Sequence, residues 1–220
     1  MPEVAAFDLS LYLVTDRGMT GPRPLAGIVA AAVEGGVRLV QLRDPAATTR
    51  ELVDQARMLV ALLRPCGVPL LVNDRVDVAL AADADGVHVG QSDMRAEDAR
   101  ALIGTDRILG LSITAVADLD RGGVGVADYL GVGPIYAQST KPDAAPPMGL
   151  AGLAAVRART RLPIVAIGGI DASNGAAVRA AGADGLCVVS AIMAASDPKA
   201  AAETLARIAG PGRSFPSGHR

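Results

Sequence analysis

Short apolar runs and longer mixed stretches alternate along the whole chain. The apolar runs occupy residues 11–15, 39–42, 70–72, 86–90, 108–113, 129–132, 164–167 and 186–189. Each is strand-sized, and several are apolar at every position, as expected of strands covered on both faces. Between them lie helix-sized segments. The first, residues 24–34, has Pro24 in its first turn and closes on Gly35-Gly36, the usual asymmetry of helix ends. The second is capped by Thr48 or Thr49 and ends near Arg64-Pro65. Further helices are predicted over residues 76–82, 94–103, 115–121, 150–159, 173–182 and 198–208. Gly122, Gly123 and Gly125 crowd the end of the 115–121 segment.

Eight strands, each followed by a helix, fit an α/β chain of 220 residues folded as a single-domain (β/α)8 TIM barrel. A doubly wound open sheet is the alternative. The barrel is assigned to residues 11–210, residues 1–10 to an N-terminal extension, and residues 211–220 to a tail expected to be disordered. The connection at residues 134–149 is far longer than the usual βα loop and reads as a functional lid or a disordered segment.

Composition narrows the function. Half the residues are hydrophobic, but aromatics make up 2%, which leaves little for base stacking on single-stranded nucleic acid. A net charge of −2 provides no basic field for a polyanion. No apolar run approaches a membrane span, and MPEVAAFDLS lacks the pattern of a signal peptide. Cys66 and Cys187 make no disulfide framework. A soluble cytoplasmic protein is expected, without nucleic-acid or membrane partners; a homo-oligomer remains open.

Candidate chemistry collects where the strands end, because barrel active sites lie at that edge. Asn73-Asp74 follows one strand, and Gln91-Ser92-Asp93 follows the next. Two carboxylates from adjacent strands either share a cation, with Mg²⁺ the natural choice, or serve as helix N-caps. The stretch alone leaves both readings open. Gln41 and Arg43 end a strand expected to be buried; the guanidinium then needs a partner, either Asp44 or a ligand phosphate. Ser112 ends another strand. Gly168-Gly169 and Val189-Ser190 end the last two, where barrels of this kind often hold phosphate on backbone N–H groups. Gln138, Ser139, Thr140 and Lys141 lie in the long loop, and Lys141 is one of two lysines in the chain. His88, inside its strand, reads as a core residue. No zinc spacing and no phosphate-loop or dinucleotide fingerprint is present.

Read together, LYLVTDR, GGVRLVQLRD, VPLLVNDRVDVALAADADGVHVGQSD, ILGLS, DYLGVGPIY…STKPDA and PIVAIGGI…AGADGLCVVSAI closely resemble thiamine phosphate synthase from about Leu11 to Pro198. The resemblance implies a Mg²⁺-dependent barrel enzyme of thiamine biosynthesis. It implies that Asp74 and Asp93 bind the metal. Gln41, Arg43, Asn73, Ser112 and Lys141 would contact a pyrimidine diphosphate, with Arg43, Ser112 and Lys141 taking part in catalysis. Gln138, Ser139, Thr140, Gly169, Val189 and Ser190 would hold a thiazole phosphate. Two departures stand out. Pro45 occupies the place of the family's usual lysine, a loss that Arg17, Arg75 or Arg95 could offset. Gln138 stands where threonine is common. The related thiazole tautomerases tend to lack the second carboxylate and carry a histidine soon after the Ser112 position; here Asp93 is present and Ile113-Thr114-Ala115 follows Ser112. A phosphate-binding sensor without activity is the other alternative.

Overall fold

The computed structural model of the chain describes residues 6–138, 145–212 and 214–216. Ten strands are present among them: β1 (Ala6–Asp8), β2 (Leu11–Val14), β3 (Leu39–Leu42), β4 (Leu70–Asn73), β5 (Gly86–Val89), β6 (Ile108–Ile113), β7 (Tyr129–Val132), β8 (Ile164–Ile167), β9 (Gly185–Val188) and β10 (Ser214–Pro216). Strands β2 to β9 pair in parallel, in chain order, and close into a barrel. The closing register joins Leu11 to Leu186 and Leu13 to Val188. The eight-stranded barrel read from the apolar runs is the observed fold.

Eight α-helices among the described residues surround it: α1 (Leu25–Glu34), α2 (Thr49–Leu63), α3 (Val76–Ala81), α4 (Ala96–Ile103), α5 (Gly149–Arg159), α6 (Gly175–Ala180), α7 (Ser190–Met193) and α8 (Pro198–Ala209). Local chemistry sets several of their ends. Thr48 caps α2 in a reciprocal box with Glu51. Asp197 caps α8, whose first residue is Pro198.

Side chains alternate between two apolar layers. Leu13, Val40, Leu70, Val72, Val87, Val89 and Leu130 pack outward against the helices. Tyr12, Leu39, Leu71, Ile108, Tyr129, Val165 and Cys187 fill the barrel interior. Both layers are closed to solvent, so the strands read as apolar at every position.

Three expectations are corrected. The 115–121 segment is not an α-helix but a 3-10 turn, Val116–Asp120, followed by a second, Val124–Val126. The Asp118 carboxylate accepts from the Thr114 and Ala115 N–H groups and the Thr114 hydroxyl. Gly122 and Gly123 then take φ of 93° and 75°, which stops helix propagation. The short helix α7 has no counterpart among the predicted elements. Finally, the expected disordered tail contains a strand: β10 pairs antiparallel with β1, Phe7 opposite Phe215.

That two-stranded sheet joins the N-terminal extension to the barrel. Phe7 and Leu9 belong to the interior cluster, and the Phe7 ring lies 6.0 Å from Tyr129. Replacing Phe7 with alanine is expected to lower unfolding free energy by about 3–5 kcal/mol, the usual cost of an aromatic cavity, as measured by urea denaturation.

Candidate active site

The carboxyl ends of the strands enclose a cavity of about 380 Å³. Gln41 and Arg43 come from the end of β3, Asn73 and Asp74 from β4, His88 from β5, Asp93 from the turn after β5, and Ser112 from β6. Gln138, Gly169, Val189 and Ser190 complete the opposite side. Every predicted site residue within the described chain lines this one space. Ser139, Thr140 and Lys141 lie outside the described residues.

The two carboxylates are held by their own loops. Asp74 adopts φ 59°, a left-handed conformation that aspartate tolerates better than most residues. Its N–H still donates to the His88 carbonyl at 2.8 Å, extending the β4–β5 ladder by one bond. Its Oδ2 accepts from Asn73 Nδ2 at 2.6 Å. Asp93 curls back so that Oδ2 accepts the Gly90 N–H at 2.9 Å. A Cβ at residue 90 would lie 2.8 Å from that oxygen, so a side chain there would push the Asp93 carboxylate aside. Neither aspartate caps a helix: Arg75 and Arg95 occupy the N-cap positions of α3 and α4, without side-chain cap bonds. The capping alternative is thereby removed.

Arg43 is the sole arginine or lysine in the described lining, against the carboxylates of Asp16, Asp74 and Asp93. Asp44 does not neutralise it. That carboxylate accepts from Gln55 at 3.0 Å and faces Arg17 at 3.6 Å. The Arg43 guanidinium makes no hydrogen bond or ion pair among the described residues. Arg17, Arg75 and Arg95, the suggested replacements for a lysine at position 45, do not line the cavity. Arg75 is committed to Asp77 through two bonds of 2.8 and 2.6 Å.

Gly168 and Gly169 have φ of 99° and 64°. A Cβ on Gly169 would lie 2.7 Å from the Ala137 carbonyl oxygen. The pair therefore lets the first limb of the long loop lie against β8, in addition to exposing backbone to the cavity.

The chain matches the thiamine monophosphate synthase family over residues 11–192. It belongs to that family. It is 52% identical over 202 residues to the thiamine-phosphate synthase of Azorhizobium caulinodans, covering 92% of this chain and 95% of the relative. It is 58% identical over 199 residues to that of Xanthobacter autotrophicus, covering 90% and 94%. The solved thiamine phosphate pyrophosphorylase of Pyrococcus furiosus superposes with a TM-score of 0.81 at 38% identity, over 91% of this chain and 95% of that one. A 3-hexulose-6-phosphate synthase structure, at 20% identity and TM-score 0.63, shares the fold.

Sequence reasoning missed part of this cavity lining. His88 is buried with both ring nitrogens bonded, as expected of a core residue, but it also lines the cavity, between Tyr129 and Ser112 at 2.8 and 2.9 Å. Tyr12 reaches the cavity from β2, and Asp16 and Thr114 line its rim. Cys187 is buried, and burial pushes its thiol pKa up.

Burial also raises the pKa of the Tyr12 and Tyr129 phenols above the ordinary value of 10.0. Folding then favours their neutral forms, and this contribution is fully present below pH ~10. Above pH ~10 the unfolded chain loses two protons that the folded chain keeps, so stability should fall by about 2.7 kcal/mol per pH unit. Denaturant midpoints measured on both sides of that pH, with tyrosinate absorbance followed in parallel, check this.

Proposed function

We propose that this member of the thiamine monophosphate synthase family joins a hydroxymethylpyrimidine diphosphate to a hydroxyethylthiazole phosphate in a Mg²⁺-dependent reaction, giving thiamine phosphate and pyrophosphate. The observation that carries the metal requirement is the charge of the cavity. Its described lining holds three carboxylates and one guanidinium, an environment that repels a diphosphate unless a cation enters with it.

The residues present suit Mg²⁺. Asp74 and Asp93 offer hard carboxylate oxygens, and Mg²⁺ commonly takes one or two carboxylates plus phosphate oxygens and water. Asp93 Oδ1 makes no hydrogen bond among the described residues. Bound there, the metal would neutralise charge on the diphosphate as it departs.

The protein's own groups divide the remaining work. The bond between the pyrimidinylmethyl carbon and the diphosphate oxygen breaks, and its electron pair leaves with the diphosphate. The ring, electron-rich through its amino group, bears the developing positive charge. The thiazole nitrogen lone pair then forms the new C–N bond. Arg43, with no protein partner among the described residues, is placed to neutralise the leaving group; Lys141 is assigned the same task from the long loop. Gln41, Asn73 and Ser112 orient the pyrimidine diphosphate. Gln138, Ser139 and Thr140, together with Gly169, Val189 and Ser190, position the thiazole phosphate. Catalysis is then positioning plus charge stabilisation, and no protein nucleophile is needed.

The test is turnover of the two substrates with Mg²⁺, with EDTA, and with EDTA followed by excess Mg²⁺. Thiamine phosphate and pyrophosphate should form in equal amounts, cease with chelator and return with metal. Equal rates in EDTA would reject the metal requirement. Binding of both substrates without product would favour the sensor, and interconversion of thiazole phosphate isomers alone would favour the tautomerase.

A further inference from the structure

Five side chains from five strands form one hydrogen-bonded chain across the barrel interior. Gln41 Nε2 donates to the Tyr12 hydroxyl at 2.6 Å. The Tyr12 and Tyr129 hydroxyls lie 3.0 Å apart. Tyr129 meets His88 Nδ1 at 2.8 Å, and His88 Nε2 meets Ser112 Oγ at 2.9 Å. Both ends, Gln41 and Ser112, line the cavity.

The barrel makes room for this chain. Register sets His88 and Tyr129 on either side of Gly110, and Ser112 beside Gly131. A Cβ at Gly110 would collide with both the His88 ring and the Tyr129 phenol. A Cβ at Gly131 would lie 2.7 Å from His88 Cε1. Either methyl group would displace the imidazole.

Proton counting gives the chain a direction. A neutral phenol has one proton to donate. Tyr12 accepts from Gln41, so its proton goes to Tyr129, its one remaining partner among the described residues. Tyr129 must then donate to His88 Nδ1. The neutral imidazole carries its proton on Nε2 and donates it to Ser112 Oγ. The Ser112 hydroxyl proton is left for a ligand, as is the carbonyl oxygen of the Gln41 amide. Were His88 protonated at Nδ1, Tyr129 would have to donate to Tyr12, and the Tyr12 proton would have no acceptor.

We propose that Tyr12, Tyr129 and His88 are positioning residues: a one-way relay that presents Gln41 to the substrate as an acceptor and Ser112 as a donor. The pairing selects a ligand that offers N–H at one end and an acceptor at the other. A 4-aminopyrimidine diphosphate does so. Its oxo analogue places a carbonyl oxygen against the Gln41 carbonyl, and a site built for one hydrogen-bonding partner rejects its opposite. The substrate's identity rests on the proposed reaction; the relay's direction rests on geometry alone.

The test has two arms. The chain contains two histidines, His88 and His219. In ligand-free, ¹⁵N-histidine-labelled His219→Ala protein at mildly alkaline pH, His88 should show a protonated Nε2 and an unprotonated Nδ1. In Tyr129→Phe this pinning should be lost, and both tautomers should appear. An Nδ1-protonated imidazole in the otherwise unaltered protein overturns the proposal, whatever reaction the protein catalyses. In the second arm, Tyr129→Phe should lose about tenfold in kcat, the scale at which orienting groups act, with KM for the thiazole phosphate unchanged and preference for amino over oxo pyrimidine reduced. His88→Gln, which retains a donor toward Ser112, should keep more activity than His88→Asn. A folded Tyr129→Phe enzyme with unaltered kcat and preference overturns the relay. A wild-type protein that turns over neither substrate overturns the reaction, while the tautomer arm still decides the direction.

Discussion

Asp93→Asn should lower Mg²⁺-supported turnover by about a thousandfold while the barrel stays folded. The substitution is nearly isosteric and retains an oxygen to accept the Gly90 N–H, now held at 2.9 Å by Oδ2. The turn is thus preserved, and what is lost is the negative charge of one of the two carboxylates proposed to hold the metal. Loss of a transition-state charge partner costs roughly 3–4 kcal/mol, or ~10²–10³ in rate. The lost metal affinity adds to this at limiting Mg²⁺. The checks are steady-state rates across a Mg²⁺ series and a circular-dichroism melt. If Asp93 serves the turn alone, the Asp93→Asn variant will match the wild type; near-normal turnover would therefore remove Asp93 from the proposed metal site.

Arg43→Ala should reduce kcat/KM for the pyrimidine diphosphate by about 10²–10³-fold, with little change in KM for the thiazole phosphate. Arg43 is the one arginine or lysine in the described lining, and it lacks a protein partner there. Removing it therefore breaks no hydrogen bond or ion pair with the described residues, and the melting temperature should hold or rise slightly. Its cost falls on the bound diphosphate, where charge-assisted bonds are strongest. Arg43→Lys should recover part of the loss, since it restores charge without the planar fork. The combination of a stable protein and a selective loss separates this role from a structural one. An Arg43 that served only to end β3 would give the reverse.

The contrast between Asp74 and His88 shows what strand-level reading can and cannot resolve. Asp74 ends an apolar run, and a strand end in a barrel always faces the same edge, so its place could be inferred without coordinates. His88 lies mid-strand between Val87 and Val89. In a strand covered on both faces, alternation says that one residue points opposite to its neighbours but not which side is the interior. The Pro45 departure was equally visible in the sequence. None of the three arginines suggested as substitutes lines the cavity; Arg17 faces Asp44 and Arg75 pairs with Asp77.

The sequence by itself determined the eight-fold alternation, the acids and Arg43 at the strand ends, and the glycine pair after β8. These follow from local chemistry: apolar periodicity, the conformational limits of glycine and proline, and the polarity of an exposed edge. Tertiary structure alone decided that β1 and β10, three residues each and separated by most of the chain, pair with one another. It alone joined Tyr12, Tyr129 and His88 into a continuous line between Gln41 and Ser112. Such contacts depend on barrel closure, which sets β2 against β9 and fixes which face of every strand is inside, and no local window of sequence contains that information.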